Sequence, residues 1–358
     1  MFQRTNIILV WIALILVLGI SCTGSKIGAG LSDSVKVKEY KNPVFEPVLA
    51  DPSVIRDIKT GQFYAFGTAD NWGDGKGLRL VPMLKSPDLV HWQYVKNALP
   101  AKPSWKKEGG VWAPDVNQVD GQYYMYYAYS TWGDPDPGIG LAIADSLEGD
   151  FIDQGKVFLS SEVNVPNSID PCYIEDQGKK YLFWGSFSDL PTQGTYAIEL
   201  SMDGKSVADI HKKTKIGAGD WEAVMIHKHD DYYYFFGSKG SCCEGLNSQY
   251  HVLVARSKNI LGPYVDKEGR PITDRGNGTL LIKGNDYFVG TGHNARIIED
   301  DRGVDWFLYH GFDVAKGRLP GGTNRRVLLL DRLEWKDGWP VIQDAGPSGT
   351  EKPAPYFE

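Results

Sequence analysis

Five polar residues stand where short apolar strands begin: Asp51 in Asp-Pro-Ser-Val-Ile, Asp115 in Asp-Val-Asn-Gln-Val, Asp170 in Asp-Pro-Cys-Tyr-Ile, Glu222 in Glu-Ala-Val-Met-Ile and His293 in His-Asn-Ala-Arg-Ile. Four are carboxylates and the fifth is an imidazole. Carboxylates gathered in one place cannot all ionise together, because each charge raises the pKa of its neighbours. One then keeps its proton and can act as a general acid while another, ionised, acts as a general base. No packing requirement explains such a gathering.

Each opening leads through a turn, such as Asp120-Gly121 or Asp176-Gln-Gly178, into an aromatic run: Phe63-Tyr-Ala-Phe, Tyr123-Tyr-Met-Tyr-Tyr, Tyr181-Leu-Phe-Trp, Tyr232-Tyr-Tyr-Phe-Phe and Trp306-Phe-Leu-Tyr. Strand-turn-strand units recurring at roughly 50 to 70 residues predict the blades of a propeller. Aromatic content is 12%, and no stretch after the N-terminal segment carries a helical stripe. The expected fold is therefore all-β, a five-bladed β-propeller with the five polar residues in equivalent positions, converging at one mouth of the axial channel. Closure requires the C-terminal run Val327-Leu-Leu-Leu-Asp-Arg332 to pack beside N-terminal strands.

Arg4 precedes an apolar run from Ile7 to Ile20, too short to span a bilayer and shaped like a secretory signal. It ends in Gly19-Ile20-Ser21-Cys22, which resembles a bacterial lipobox with glycine in place of the usual leucine. Residues 1–21 are read as a signal peptide of lipoprotein type with Cys22 the lipidated residue, the alternative being an ordinary cleaved signal. Residues 22–39, rich in Gly, Ser and Lys, form a tether, and 40–358 form the propeller. The protein is expected to leave the cytoplasm, anchored in a membrane and facing the periplasm or the cell exterior, as a monomer. A net charge of −7 argues against nucleic acid, which demands a basic face. Cys172 reads as a buried apolar residue, and the adjacent Cys242 and Cys243 as free thiols.

The openings lie within longer motifs: Leu49-Ala-Asp51-Pro-Ser-Val, Val111-Trp-Ala-Pro-Asp115, Asn167-Ser-Ile-Asp170-Pro and Trp221-Glu222-Ala. Cys242-Cys-Glu-Gly-Leu-Asn-Ser-Gln-Tyr250, Gly262-Pro-Tyr-Val-Asp266-Lys, Gly292-His293-Asn294 and Trp335-Lys-Asp-Gly-Trp339-Pro follow in order. Together, from about Asp51 to Val341, they resemble glycoside hydrolase family 43, a family of five-bladed propellers, and within it the arabinanases. The resemblance implies that Asp51 is the base activating water, Glu222 the acid, and Asp170 the residue that tunes and orients Glu222. It gives Asp115 no chemical part, so a structural hydrogen-bonding role is expected there. It implies an inverting mechanism, in which the two working carboxyls stand about 6.5 to 9.5 Å apart with room for a water, and Asp170 lies nearer Glu222 than Asp51 does.

The same resemblance implies a calcium or other cation on the axis, reached by His293 directly or through water, and no organic cofactor. His310 and His91 read as ordinary strand or loop residues. Positions in the matching motifs nominate Gly133, Asn167, Ser168, Ser186 and Phe187 as substrate contacts, with Trp112 either a platform for a sugar ring or a core residue. The turn-rich segment 130–138 is expected to form part of the cleft wall, and its Asp134 and Asp136 read as solvated loop charges. The expected substrate is arabinan or arabino-oligosaccharide, cleaved endo at α-1,5 linkages. An exo-acting α-L-arabinofuranosidase or β-xylosidase, and a non-catalytic sugar-binding propeller, stand beside that reading. The intact trio of acids weighs against the last.

Overall fold

Each aromatic run enters an antiparallel sheet beside the strand that precedes it, and five such sheets, four of four strands and the last of five, follow one another along the chain. The computed structural model describes residues 38–358 apart from Ser186, Ser188, Asp189 and Pro191, so the proposed signal, Cys22 and most of the tether lie outside the described residues. Blade 1 comprises Ser53–Arg56, Phe63–Phe66, Pro82–Ser86 and Gln93–Asn97. Blade 2 comprises Gly110–Val119, Gln122–Ser130, Gly138–Ala144 and Ile152–Leu159. Blade 3 runs from Ile169–Asp176 through Lys179–Gly185 and Thr195–Glu199 to Lys213–Gly217, and blade 4 from Glu222–His229 through Tyr232–Lys239 and His251–Ser257 to Thr279–Lys283. Blade 5 pairs Phe288–Gly292 and Ile298–Glu299 with Asp305–Asp313, followed by Arg326–Lys336 and Trp339–Ile342. The expected five-bladed propeller is the fold.

The first hairpins are tight because their turns accept left-handed backbone. Asp120 and Gly121 have φ of 48° and 87°, and Gln177 and Gly178 have 50° and 76°, the pair of positive angles that a two-residue loop requires to match strand twist. Beyond the turn, the aromatic strands are apolar on both faces because blades pack face to face. Tyr123, Met125, Tyr127 and Tyr129 enter the core shared with blade 1, while Tyr124, Tyr126 and Ala128 enter the core shared with blade 3. Tyr233 and Phe235 are divided from Tyr234 and Phe236 in the same way.

Closure follows the expected route. Leu328 and Leu330 share a core with Leu49, Val54 and Phe63, and Val44 and Leu49 donate backbone bonds to Leu328 and Arg326. Glu39–Tyr40 pairs antiparallel with Lys352–Pro353, so Glu39, assigned above to the tether, belongs to the folded unit.

The register of the inner strands corrects one expectation. Every inner strand carries a bulge at the same height: Ala50 meets Thr68 and Ser53 meets Phe66, Trp112 meets Ala128 and Asp115 meets Tyr126, Ile169 meets Gly185 and Cys172 meets Phe183, Glu222 meets Ser238 and Met225 meets Phe236, Gly292 meets His310 and Ala295 meets Leu308. The first residue of each bulge is left-handed: Asp51, Ala113, Asp170, Ala223 and His293, with φ between 45° and 56°. These five are the equivalent positions. Glu222 stands one residue before the bulge and Asp115 two residues after Ala113. The two-against-one count of a bulge defeats alignment by the acids alone. Pro52, Pro114 and Pro171 mark the second bulge position, where no ladder N–H is needed.

Candidate active site

A bulge frees a backbone N–H from the ladder, and here a neighbouring blade supplies most of the acceptors. The Ala113 N–H donates to Thr68 Oγ1 at 2.9 Å, the His293 N–H to Ser238 Oγ at 2.9 Å and the Asp51 N–H to His310 Nδ1 at 3.0 Å. Thr68, Ser238 and His310 each face the residue before their own blade's bulge. In blade 3 that place is Gly185, where a Cβ would come within 3.1 Å of the Glu222 Cα. A side chain there would crowd that backbone, and Asp170 itself accepts the Ala223 N–H through Oδ2 at 2.9 Å. That bond seats the Asp170 carboxyl against the segment carrying Glu222.

Asp51, Asp170, Glu222 and His293 line one cleft of about 890 Å³. Asp115 is not among the residues lining it. Its carboxylate accepts the Tyr173 N–H at 2.6 Å and pairs with Arg296 at 3.0 Å, much as Ser53 Oγ accepts the Val116 N–H. Asp115 therefore has the hydrogen-bonding role expected of it, in a second ring of capping groups.

Asp51 is held ionised. Burial pushes its pKa up, but the Arg326 guanidinium, 3.0 Å from Oδ1, and then His293 outweigh burial and hold it well below the usual carboxylate range. Thr68 donates to Oδ2 at 2.5 Å, so both carboxylate oxygens are fixed in direction. His293 Nδ1 lies 3.3 Å from Oδ1. Burial lowers the pKa of that imidazole, yet the hydrogen bond and charge of Asp51 raise it above the ordinary value.

Glu222 is pushed the other way, up to about 8, by burial first and by the Asp170 charge second, against a hydrogen bond from Tyr250. At neutral pH it carries a proton. Asp51 also raises the pKa of Glu222, but less than Asp170 does. Asp170 is itself raised, by burial and then by Asp51, with His293 opposing. One cleft thus holds an ionised carboxylate and a protonated carboxylic acid, the separation of roles that acid–base hydrolysis requires.

Of the nominated substrate contacts, Trp112, Gly133, Asn167 and Phe187 line the cleft. Trp112 also packs against the core between blades 2 and 3 and sits 5.7 Å from Trp132, ring to ring. Ser168 does not reach the cleft: it is fully buried, donates to the Val165 carbonyl at 2.8 Å and accepts from the Trp184 indole at 3.0 Å. Polarity within a matching motif marked it, but its hydroxyl is held inward by the Val165 carbonyl and the Trp184 indole, in the segment before the strand begins. Ser186 lies outside the described residues. Asp134 lines the cleft as an ion-pair partner of Lys106 rather than as a solvated charge.

Sequence reasoning missed Thr68, Asp70 and Arg326, which line the cleft, and gave Tyr250 no role, whereas Thr131, Trp132 and Gly133 line it as expected of the turn-rich segment that holds them. It also read His310 as an ordinary strand residue, whereas its fully buried ring holds the Asp51 backbone. Buried polar residues inside apolar runs, such as His310 between Leu308 and Phe312, were the available signal. Cys242 and Cys243 are joined as a vicinal disulfide on the cleft wall, not free. The two sulfurs meet within a single dipeptide.

Comparison with known proteins adds ancestry to this geometry. The chain is 33% identical over 319 residues to the extracellular exo-α-(1→5)-L-arabinofuranosidase ArbA of Cellvibrio japonicus, covering 82% of this chain and 86% of that one. It is 32% identical over 302 residues to the extracellular endo-α-(1→5)-L-arabinanase 1 of Bacillus subtilis, covering 82% and 87%. Among solved structures, the α-L-arabinanase of Cellvibrio cellulosa complexed with arabinohexaose superposes with a TM-score of 0.71 at 30% identity, covering 84% of this chain and 96% of that one. The family 43 endo-arabinanase of Bacillus licheniformis gives 0.68 at 30% identity, covering 83% and 98%. Residues 40–340 match the glycosyl hydrolases family 43, and the protein belongs to that family of glycoside hydrolases.

Proposed function

We propose that this enzyme cleaves α-1,5-linked L-arabinan, acting endo and with inversion. The observation that carries the reading is the opposed protonation of Asp51 and Glu222 in one cleft. Glu222 donates its proton to the leaving glycosidic oxygen. Asp51, aimed by Thr68 and Arg326, takes a proton from the water that attacks the anomeric carbon on the opposite face. Asp170 keeps the proton on Glu222 until the leaving group needs it. Furanose rings present hydroxyls and a small apolar face, and the cleft answers with the Asn167 amide and the rings of Trp112, Trp132 and Phe187. The names of the relatives, arabinanases and arabinofuranosidases, support the substrate class.

Exo action is the second reading, favoured by the resemblance to ArbA. Incubation with debranched arabinan and analysis of product length over time separates the two. Early mixed oligosaccharides support endo cleavage; arabinose alone from the start overturns it.

A cation on the axis belongs to the same proposal. His293 uses Nδ1 toward Asp51, which leaves Nε2 to face an ion, and the buried Asn294 Oδ1 beside it has no hydrogen-bond partner among the described residues. One imidazole fits an ion whose remaining ligands are waters. Such an ion would supply positive charge next to the acids. Export agrees with relatives described as extracellular, and lipidation at Cys22 would then tether a monomeric propeller to the membrane through residues 22–39.

A further inference from the structure

On the strand Glu222–His229 the last turn of alternation places two histidines, His227 and His229, on one face. Their neighbour is Asp305, the first residue of the aromatic strand of blade 5. One ligand atom from each of the three lies within 4.8 Å of the others. All three side chains are partly buried, between full cover and open solvent. The active site uses none of them.

Trp335, from the next strand of blade 5, holds two of the three in place. Its indole N–H donates to Asp305 Oδ2 at 2.7 Å, and its ring stacks on His229 at 3.7 Å with the planes 5° apart. His227 stands beside them, 6.3 Å from His229 and 6.1 Å from Trp335 between ring centres. Among the described residues no hydrogen bond is made by the His227 ring, and the nearest acid to the His229 ring is the exposed Asp230 at 3.7 Å. Two imidazoles without hydrogen-bond partners converge on a carboxylate that a tryptophan orients.

We propose that His227, His229 and Asp305 bind a divalent transition metal of the zinc class, cross-linking blade 4 to blade 5. Two imidazoles and a carboxylate suit zinc, nickel or copper, whereas calcium and magnesium take oxygen ligands in larger number. Ligands at about 2.1 Å from a tetrahedral ion stand about 3.4 Å apart, so the three ends close by no more than about 1.4 Å, within reach of small rotamer changes. Water fills the fourth place. The Trp335 N–H to Asp305 is the outer bond that fixes a ligating carboxylate. Arg296, whose charge acts on His227, is committed to Asp115 and the Tyr173 carbonyl.

The test is zinc binding by equilibrium dialysis to protein without an affinity tag, in a His293→Ala background that removes the axial imidazole. One zinc per chain is expected, with affinity weakened at least about tenfold in His229→Ala and in Asp305→Asn, and about tenfold in Trp335→Phe, which keeps the stack and loses the N–H. No saturable site at about 0.1 mM zinc, or a site indifferent to all three substitutions, overturns the proposal. Should the variants fail to fold, zinc-edge X-ray absorption on the His293→Ala protein decides: two imidazole ligands support the site, and fewer contradict it.

Discussion

The Asp51 N–H donates to Nδ1 of His310 across 3.0 Å, joining residues 259 positions apart. That bond crosses the seam between the first and last blades, so the residue proposed as base is oriented by the closure of the ring. An accepting Nδ1 requires a neutral imidazole protonated on Nε2. Burial, aided by the charges of Arg326 and His293, holds the His310 pKa well below its ordinary value.

Replacing His310 with alanine leaves the Asp51 N–H unpaired and opens a void at the seam. Stability should fall by about 2–4 kcal/mol, read by urea unfolding. The rate constant kcat should fall while KM changes little, because the loosened group acts in the transition state. A variant with lowered stability but unchanged kcat would show that the bond only closes the ring.

Arg326 is the strongest influence holding Asp51 ionised. In Arg326→Gln the Asp51 pKa rises, and the base is ionised only at higher pH. The acidic limb of the kcat/KM profile should move upward, toward neutrality, with the alkaline limb less affected. An acidic limb that stays in place would remove Arg326 from the account.

Asp170→Asn acts on the other limb. The Asp170 charge is the second cause, after burial, of the raised Glu222 pKa, so its removal lowers that pKa while burial keeps it above the ordinary value. Glu222 then loses its proton at lower pH, and the alkaline limb of the profile moves down. An upward or absent shift contradicts the modulator role.

The blade count and the aromatic strands were legible because the repeat announces itself in residue type and period. Glu222, Asp170 and Asp51 were legible through the motifs around them. Their exact relation was not, since a bulge shifts equivalence by one residue in blade 4 and by two in blade 2, and only the prolines hint at it. Arg326 escaped because its role depends on the last blade closing against the first, and Thr68 because its bond to Asp51 depends on the register of the bulge; nothing local to Asn324-Arg-Arg326 or Gly67-Thr68 records either. Ser168 was overread for the converse reason: its motif adjoins the cleft, while its own side chain faces the core.

Glu222 also costs stability. Its folded pKa of about 8 lies above its ordinary 4.5, so the folded state binds this proton more tightly than the unfolded chain. The wild type therefore loses stability from this group as pH rises from about 4.5 to 8, by at most about 5 kcal/mol. Glu222→Gln removes the titration. The variant should be more stable than the wild type at pH 8, by an amount that shrinks toward zero near pH 5; a difference independent of pH would argue against a protonated Glu222.

The central claim is that Asp51 and Glu222 divide the work of an inverting hydrolysis between them. Proton NMR of the first product formed from linear α-1,5-arabinan tests it most directly, before mutarotation mixes the anomers. The account predicts that the new reducing end appears first as the β anomer. Initial appearance of the α anomer would mean retention, with Asp51 attacking carbon rather than activating water, and would contradict the assignment.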